Sequence, residues 1–382
     1  MRPDGRITGA PCVIALCWVL PARTRATRSA RLRTQAPPAW GLRVAFFDSA
    51  PQVKRTSMSA PTRGRRYVLI TPCRNEAAFA RRTLDTVIGQ SIRPALWVIV
   101  DDGSTDATPV ILAEYAARFD FIRIVRSEDR GRRSVGPGVI EAFYAGFDTI
   151  DPRQFDYLCK LDLDLELPPR YFEMLMQRME TEPRLGTCSG KPYYRGRYGN
   201  LVSEGCGDEI SIGASKFYRV DCFLQVGGFT REVMWDGLDC HRCRMLGWIA
   251  RSWDDPELRF VHLRPMGSSE KGILTGRIRH GRGQYFLGTG LLYLTASALY
   301  RMLRRPFVVG GLAIWWGYVS SLIRRAPRFE HPGFRRFLRR YQWECLLRGK
   351  TAATRRLDER QEALWRASAA GASNAPARSA LG

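Results

Sequence analysis

Three short apolar runs, each closed by polar or acidic residues, organise the first half of this chain. Tyr67-Val68-Leu69-Ile70-Thr71 is uninterrupted, Trp97-Val98-Ile99-Val100 ends in Asp101-Asp102, and Tyr157-Leu158-Cys159-Lys160-Leu161 ends in Asp162-Leu163-Asp164. Such runs mark parallel strands buried on both faces, whose C-terminal edges carry the ligand-facing residues of open α/β sheets. After the break Pro72-Cys73-Arg74-Asn75-Glu76, the residues Phe79, Leu84, Val87 and Ile88 suit one buried helix face, so the segment reads strand, helix, strand with a right-handed crossover. Ser104, Thr105 and Asp106 are predicted to open a second helix as cap and first-turn residues, with backbone N–H groups and side-chain oxygens facing whatever sits over the strand ends. Ile122-Arg123-Ile124-Val125 reads as a third strand. The Gly-rich basic loop Gly131-Arg132-Arg133-Ser134-Val135-Gly136-Pro137-Gly138 then precedes a helix over Val139 to Thr149. Loops of this kind cradle phosphates or lie solvated at the surface, and both readings stay open.

Acids at a strand end are costly unless a cation meets them. Strand alternation in Asp162-Leu163-Asp164 directs both carboxylates to one side, where they offer hard oxygen ligands to Mg²⁺ or Mn²⁺, and a metal-bound diphosphate is the natural partner.

With these motifs stand Gly213-Ala214-Ser215-Lys216-Phe217-Tyr218-Arg219 and Gly227-Gly228-Phe229, in order. Together they resemble the inverting, metal-dependent glycosyltransferases of family 2, of the GT-A fold, over roughly Arg66 to Gly283. The resemblance implies an α/β fold with a mostly parallel central sheet flanked by helices, a nucleotide-sugar donor and a divalent cation. It places Pro72, Arg74, Asn75, Glu76, Asp101, Asp102, Ser104, Arg132, Arg133 and Asp162 around the donor, with Asp102 on the nucleobase or ribose. Asp164 and His262 fall to the cation, although a lone His is as readily a hydrogen-bonded structural residue; Gly213, Ala214 and Arg264 fall to the acceptor and phosphates. The family takes its general base from a Glu-Asp pair. Here Trp235 stands in place of the Glu, Asp236 matches the second acid and Asp239 lies near a further one. A carboxylate beside Trp235 is expected to be partly desolvated, which favours Asp236 as base; the competing reading makes one of the two a cap of the helix Leu238 to Leu246.

Charge adds two points. The formal net charge is +23 over 382 residues, but it concentrates at the ends, without the basic and aromatic interleaving of a nucleic-acid surface, so no nucleic-acid partner is expected. Before Tyr67 stand thirteen basic residues and two acids in an Ala-, Pro- and Thr-rich stretch without sustained periodicity, so residues 1–65 read as a disordered basic leader. Cys12 to Leu20 resembles a signal-peptide core, a reading set aside because secretion would separate the enzyme from cytosolic donors; Met58 reads as the true start. A nucleotidyltransferase would need a Gly-rich basic loop straight after the first strand, which Pro72 to Ala77 does not supply. Ten cysteines without regular spacing read as reduced thiols, and Cys240-His241-Arg242-Cys243 lacks the second pair that a zinc site needs.

Beyond 283 the composition turns apolar. Gln284 to Tyr300 and Phe307 to Ile323 are uncharged stretches of seventeen residues each, the lower limit for spanning a bilayer, with Arg301, Arg304 and Arg305 between them. A spanning hairpin would oppose the positive-inside rule, so residues 284–350 are expected as helices lying in the cytoplasmic leaflet of the inner membrane with arginines on lipid phosphates. Phe334, Phe337, Leu338, Tyr341 and Cys345 continue as a basic amphipathic helix; packing on the preceding domain is the competing reading. Residues 351–382 read as a basic, partly disordered tail. The resemblance implies a lipid-linked glycan acceptor in exopolysaccharide or cell-envelope biosynthesis, with transfer to polyprenyl phosphate as the alternative. Processive relatives carry Gln-x-x-Arg-Trp where this chain has Gly281-Arg282-Gly283-Gln284-Tyr285, so one sugar per encounter is expected.

Overall fold

A computed structural model describes residues 64–127, 136–264, 272–303 and 306–373. The leader, the expected start at Met58 and the loop with Arg132 and Arg133 lie outside the described residues. The apolar runs become strands in the order β1 (Tyr67–Cys73), α1 (Ala80–Ile88), β2 (Leu96–Asp102), α2 (Thr108–Arg118), β3 (Ile122–Ser127), α3 (Pro137–Phe147) and β4 (Tyr157–Leu161). There follow β5 (Leu165–Glu166), α4 (Tyr171–Thr181), β6 (Leu185–Ser189), β7 (Lys191–Arg195), β8 (Leu201–Ser203), β9 (Ser215–Arg219), α5 (Val220–Val226), α6 (Trp235–Met245), β10 (Ile249–Ser252) and β11 (Arg259–His262).

Seven strands form one sheet in the order β10-β6-β9-β4-β1-β2-β3. It is parallel except for β9, which runs antiparallel to β4 and β6. One face packs under α1, α2 and α4 around Trp97, Leu84, Leu112 and Phe172; the other lies under α3, α5 and α6 around Val98, Phe143, Phe223 and Trp235. Helices on both faces explain why these strands read as continuous apolar runs rather than alternating ones. A smaller sheet, β5-β11-β7-β8, stands beside it.

The strand order reverses at β1, with β2 and β3 on one side and β4 on the other, and such a switch point opens a crevice at the carboxyl ends. The β1–β4 ladder stops at Ile70 opposite Lys160, whereas β1 and β2 stay paired as far as Cys73 and Asp101. Pro72 lies beyond that shorter ladder, where a residue without an N–H removes no bond between β1 and β4.

Several expectations change. Strand β4 ends at Leu161, so Asp162-Leu163-Asp164 is a turn and strand alternation does not aim its carboxylates. Helix α2 starts at Thr108 instead of Ser104, and α3 spans Pro137–Phe147. The expected boundary at 283 falls inside α7 (Ile273–Leu287). Gly288, at φ 80°, ends α7, so the first apolar stretch is divided between α7 and α8 (Leu291–Met302), and the second yields α9 (Val309–Ile323). Among the described residues no helix is long and apolar enough to cross a membrane. In α10 (Phe334–Arg348) the apolar stripe is already covered. Phe334 and Leu338 pack with Leu238 of α6 and Leu287 of α7, and Tyr341 and Cys345 pack with Ala353 and Leu357. The described part of the expected tail forms α11 (Lys350–Ser373), whose Asp358 carbonyl accepts a bond from buried Arg184 (2.9 Å) and whose Trp365 meets Trp248 edge-on; 374–382 lie outside the described residues.

Candidate active site

The turn after β1 is fastened to the turn after β2 by side chains that the sequence pattern had assigned to a ligand. Asn75 adopts a left-handed φ of 54°, its N–H donates to Ser104 Oγ (2.9 Å), and its Oδ1 accepts from the Thr105 N–H (2.8 Å). The Glu76 N–H donates to Thr108 Oγ1 and the Ala77 N–H to Asp106 Oδ2. Asp101 Oδ1 accepts the Ser104 N–H (2.9 Å), and Arg74 donates to the Asp102 carbonyl (2.6 Å). Ser104 and Thr105 therefore bind the neighbouring turn rather than opening a helix with free donors, while Asp106 does both: Oδ2 accepts the Ala77 N–H and Oδ1 accepts the N–H of Thr108 (2.9 Å), the first residue of α2. Their bonds fasten the two turns together, and Asp101 and Asp102 are buried beneath them.

Across the switch point a single guanidinium links both strand ends. Arg264 donates to Asp164 Oδ2 (2.8 Å) and to Glu76 Oε1 (3.0 Å), which brings residues far apart in sequence into one cluster. Burial, aided by Asp162, pushes the Asp164 acid up to about 6 against the pull of Arg264. His262, at the end of β11, meets Glu204 Oε2 through Nδ1 at 2.6 Å. Burial alone would lower the imidazole pKa, and the bond and charge of Glu204, with Asp164 and Asp162 behind them, together offset it, so it is raised.

The third part is the start of α6. Asp236 lies in its first turn, half-buried, with Oδ1 accepting the Gly237 N–H (3.0 Å). Gly213 lies against it: a Cβ there would stand 3.0 Å from Asp236 Oδ2 and 3.2 Å from the Trp235 ring. The Gly213 carbonyl accepts from Lys160 Nζ (3.1 Å), Lys160 also pairs with Asp162, and the Asp162 N–H donates to the Ala214 carbonyl. The acid after β4 and the acid of α6 are thus joined through Gly213. Gly213→Ala is expected to displace Asp236 with little loss of stability. Turnover should fall by up to about 10²-fold, the cost of an ångström-scale misplacement, while the melting temperature stays near that of the parent. Unchanged turnover would show that this contact does not position the acid.

Asp239, one turn further, has a different environment. It is 1 % exposed, pairs with Lys216 Nζ at 2.7 Å and accepts from the Tyr218 hydroxyl. Burial pushes its acid up to about 6; at Lys216 burial is opposed by Asp239 together with Cys240 and Asp236, which raise the ammonium pKa, so the pair is ionised at neutral pH. Lys216 also donates to the Asp236 carbonyl (2.6 Å) and the Ser211 carbonyl (3.1 Å). Asp239 is therefore sealed away from any acceptor and holds the lysine that holds Asp236.

Lys160, Lys216 and Glu204 drew no role from the sequence, yet each fixes a predicted site residue. Lys160 left a signal: it interrupts an otherwise apolar strand, and a cation inside a buried run requires a nearby anion; Lys216, in Ser215-Lys216-Phe217-Tyr218-Arg219, did not stand out in this way. The two ammonium groups lie 5.4 and 5.9 Å from the Trp235 ring centre, so the residue in place of the family's Glu is flanked by two buried cations. Glu204 left none. As for a divalent cation, the donors are of the right kind, hard carboxylates of Asp162 and Asp164 and the imidazole of His262, although no three His, Cys, Asp or Glu among the described residues converge as a ligand set.

Residues 68–204 match Glycosyl transferase family 2. Among curated proteins, the chain is similar to the poly-beta-1,6-N-acetyl-D-glucosamine synthase of Staphylococcus aureus (strain COL), with 25% identity over 126 residues, covering 33% of this chain and 28% of the relative. It is also similar to the chondroitin synthase of Escherichia coli, with 25% identity over 183 residues, 48% of this chain and 22% of the relative. The chain thus spans about a quarter of the length of these relatives. Among solved structures, the mannosyltransferase PcManGT of Pyrobaculum calidifontis, in complex with GDP-Man and Mn2+, aligns over 81% of this chain and 86% of its own, with a TM-score of 0.41 and 18% identity. GalNAc-T7 with UDP, GalNAc and Mn2+ aligns over 69% and 56%, with a TM-score of 0.47 and 14% identity.

Proposed function

We propose that this chain, a glycosyltransferase of the family 2 type related to polysaccharide synthases, moves a sugar from a nucleoside-diphosphate donor to an acceptor hydroxyl with inversion. The observation that carries this reading is the linkage of the acids at the strand ends around β1: Arg264 joins Glu76 to Asp164, and Lys160 with Gly213 joins Asp162 to Asp236, the half-buried acid of α6. Inversion requires one base and no covalent intermediate. Asp236 accepts the proton of the attacking hydroxyl, held by the Gly237 N–H at one oxygen and by Lys216 at its main chain. Arg264 and Lys160 supply fixed positive charge where the leaving diphosphate gains negative charge, and in a water-poor site charge aimed in this way usually lowers the barrier more than any other single effect. Asp164 would hold a divalent cation, with Asp162 and His262 as further donors, and the cation would neutralise the departing diphosphate.

The acceptor in this proposal is a lipid-linked glycan at the cytoplasmic face of the membrane, extended by one sugar per encounter; polyprenyl phosphate is the alternative. Purified protein offered labelled nucleotide sugars together with either acceptor should yield product with one of them, and hydrolysis without transfer would overturn the reading. A chelator should suppress transfer, and added Mg²⁺ or Mn²⁺ should restore it. Asp164→Asn, which removes an anionic ligand at nearly constant volume, should raise the cation concentration needed by at least about tenfold. Full transfer in excess chelator would sink the metal requirement.

A further inference from the structure

The last third of the chain has a surface that the sugar chemistry does not use. Helix α9 is apolar all round and buries only one side. Gly281 and Gly317 let α7 and α9 approach so closely that a Cβ on either would strike backbone, at 1.9 Å from the Ile314 carbonyl and 2.1 Å from the Ile278 carbonyl; Gly311 does the same against Ala298 of α8. Gly311 and Gly317, with Ile314, Tyr318 and Ser321, lie on the covered side of α9. Val309, Leu312, Trp316 and Ile323 recur at helical spacing on the opposite side and are exposed, Ile323 to 71 %. On α8, Leu299 and Tyr300 are exposed too, continuing into Leu303 at 75 %. Between Gly272 and Trp343 the sequence has thirteen arginines and one acid, Glu330. Arg282, Arg324, Arg325, Arg335, Arg336 and Arg339 are exposed. A cavity of about 280 Å³, lined by Leu291, Leu292, Tyr293, Arg339, Trp343 and Leu346, sets an apolar wall beside one of these guanidinium groups.

We infer that the outward face of α8 and α9 is a lipid-contacting surface that lies in the plane of an anionic leaflet, its tryptophans and leucines in the acyl boundary and its arginines on headgroup phosphates. This rests on the proposed lipid-linked acceptor and names the helices and the lipid charge. Charge complementarity selects the occupant. A second copy of this chain would bring two arginine-rich faces together, whereas an anionic bilayer offers apolar depth and negative charge at once. At 12 and 15 residues, α8 and α9 lie along a leaflet rather than across it. The amphipathic stripe of α10, covered by α6, α7 and α11, takes no part.

The test is co-sedimentation of the full chain with vesicles of phosphatidylcholine alone or mixed with phosphatidylglycerol, with melting temperature as the check on folding. The parent should bind the mixed vesicles and release in high salt. Arg324→Glu with Arg325→Glu should weaken binding at least tenfold, since each arginine at an anionic surface is worth roughly a fivefold change. Trp316→Ser with Ile323→Ser should weaken it on both vesicle types without lowering the melting temperature. Equal binding of the parent to neutral vesicles, unchanged binding of both variants, or a lipid-free dimer that the apolar variant dissolves would each overturn the inference. Because no sugar donor enters the assay, failure of the glycosyltransferase reading would leave its result standing, and the reverse holds.

Discussion

Asp236→Asn is expected to retain folding, donor binding and cation binding while transfer falls by about 10²- to 10⁴-fold, the usual contribution of a general base. The amide keeps the volume that Gly213 accommodates and still accepts the Gly237 N–H, so the start of α6 stays in place. What disappears is the capacity to take a proton. Single-turnover transfer measured beside donor binding by calorimetry separates the two effects. A variant with lost donor affinity would make Asp236 a binding residue, and one with normal transfer would move the base elsewhere. Asp239→Asn, buried against Lys216 and Tyr218, should act on stability before chemistry.

Lys216→Met should destabilise the fold by roughly 3–5 kcal/mol, because removing one partner of a buried pair leaves the other charge uncompensated. Lys216 is fully buried, and its loss would leave Asp239 with only the Tyr218 hydroxyl and strip a donor from the carbonyls of Asp236 and Ser211. Urea unfolding of Lys216→Met, Asp239→Asn and the double variant measures this directly. The double variant should lose clearly less than the sum of the singles, since removing both charges leaves neither stranded. Strict additivity, or a loss under about 1 kcal/mol in Lys216→Met, would show that the ion pair does not support α6. The same variant tests positioning: near-parent donor binding with reduced turnover, at a temperature where it is folded, is the signature of a displaced Asp236.

Comparison of individual residues shows where sequence and structure part. The runs of β1, β2 and β4 were legible because a strand with helices on both faces is apolar at nearly every position, Lys160 of β4 being the exception that its ion pair explains, and that requirement is local. Acids at the ends of such runs were legible for the same reason, since each departs sharply from a buried pattern. Which oxygen serves which partner was not. Ser104 and Asp106 have the composition of a helix cap; Ser104 binds Asn75 instead, and Asp106 divides its oxygens between Ala77 and the Thr108 N–H that starts α2, because the left-handed turn at Asn75 brings two strand ends within reach. The stripe of α10 announced a face to be covered without saying by what, and the covering surface comes from α6, α7 and α11.

By itself, then, the sequence determined the layered α/β body, the three acid-bearing segments and the arginine-rich apolar end, all features carried by residues within a few positions of one another. Only the tertiary structure decided that Arg264 joins Asp164 to Glu76, that Glu204 holds His262, and that Lys216 pairs with Asp239 while fixing Asp236. In each case the partners are far apart in sequence: the switch of strand order at β1 brings Arg264 to both acids, the pairing of β8 and β11 through β7 brings Glu204 to His262, and the packing of α6 over the sheet brings Asp236 and Asp239 to Lys216, distances that spacing along the chain does not encode.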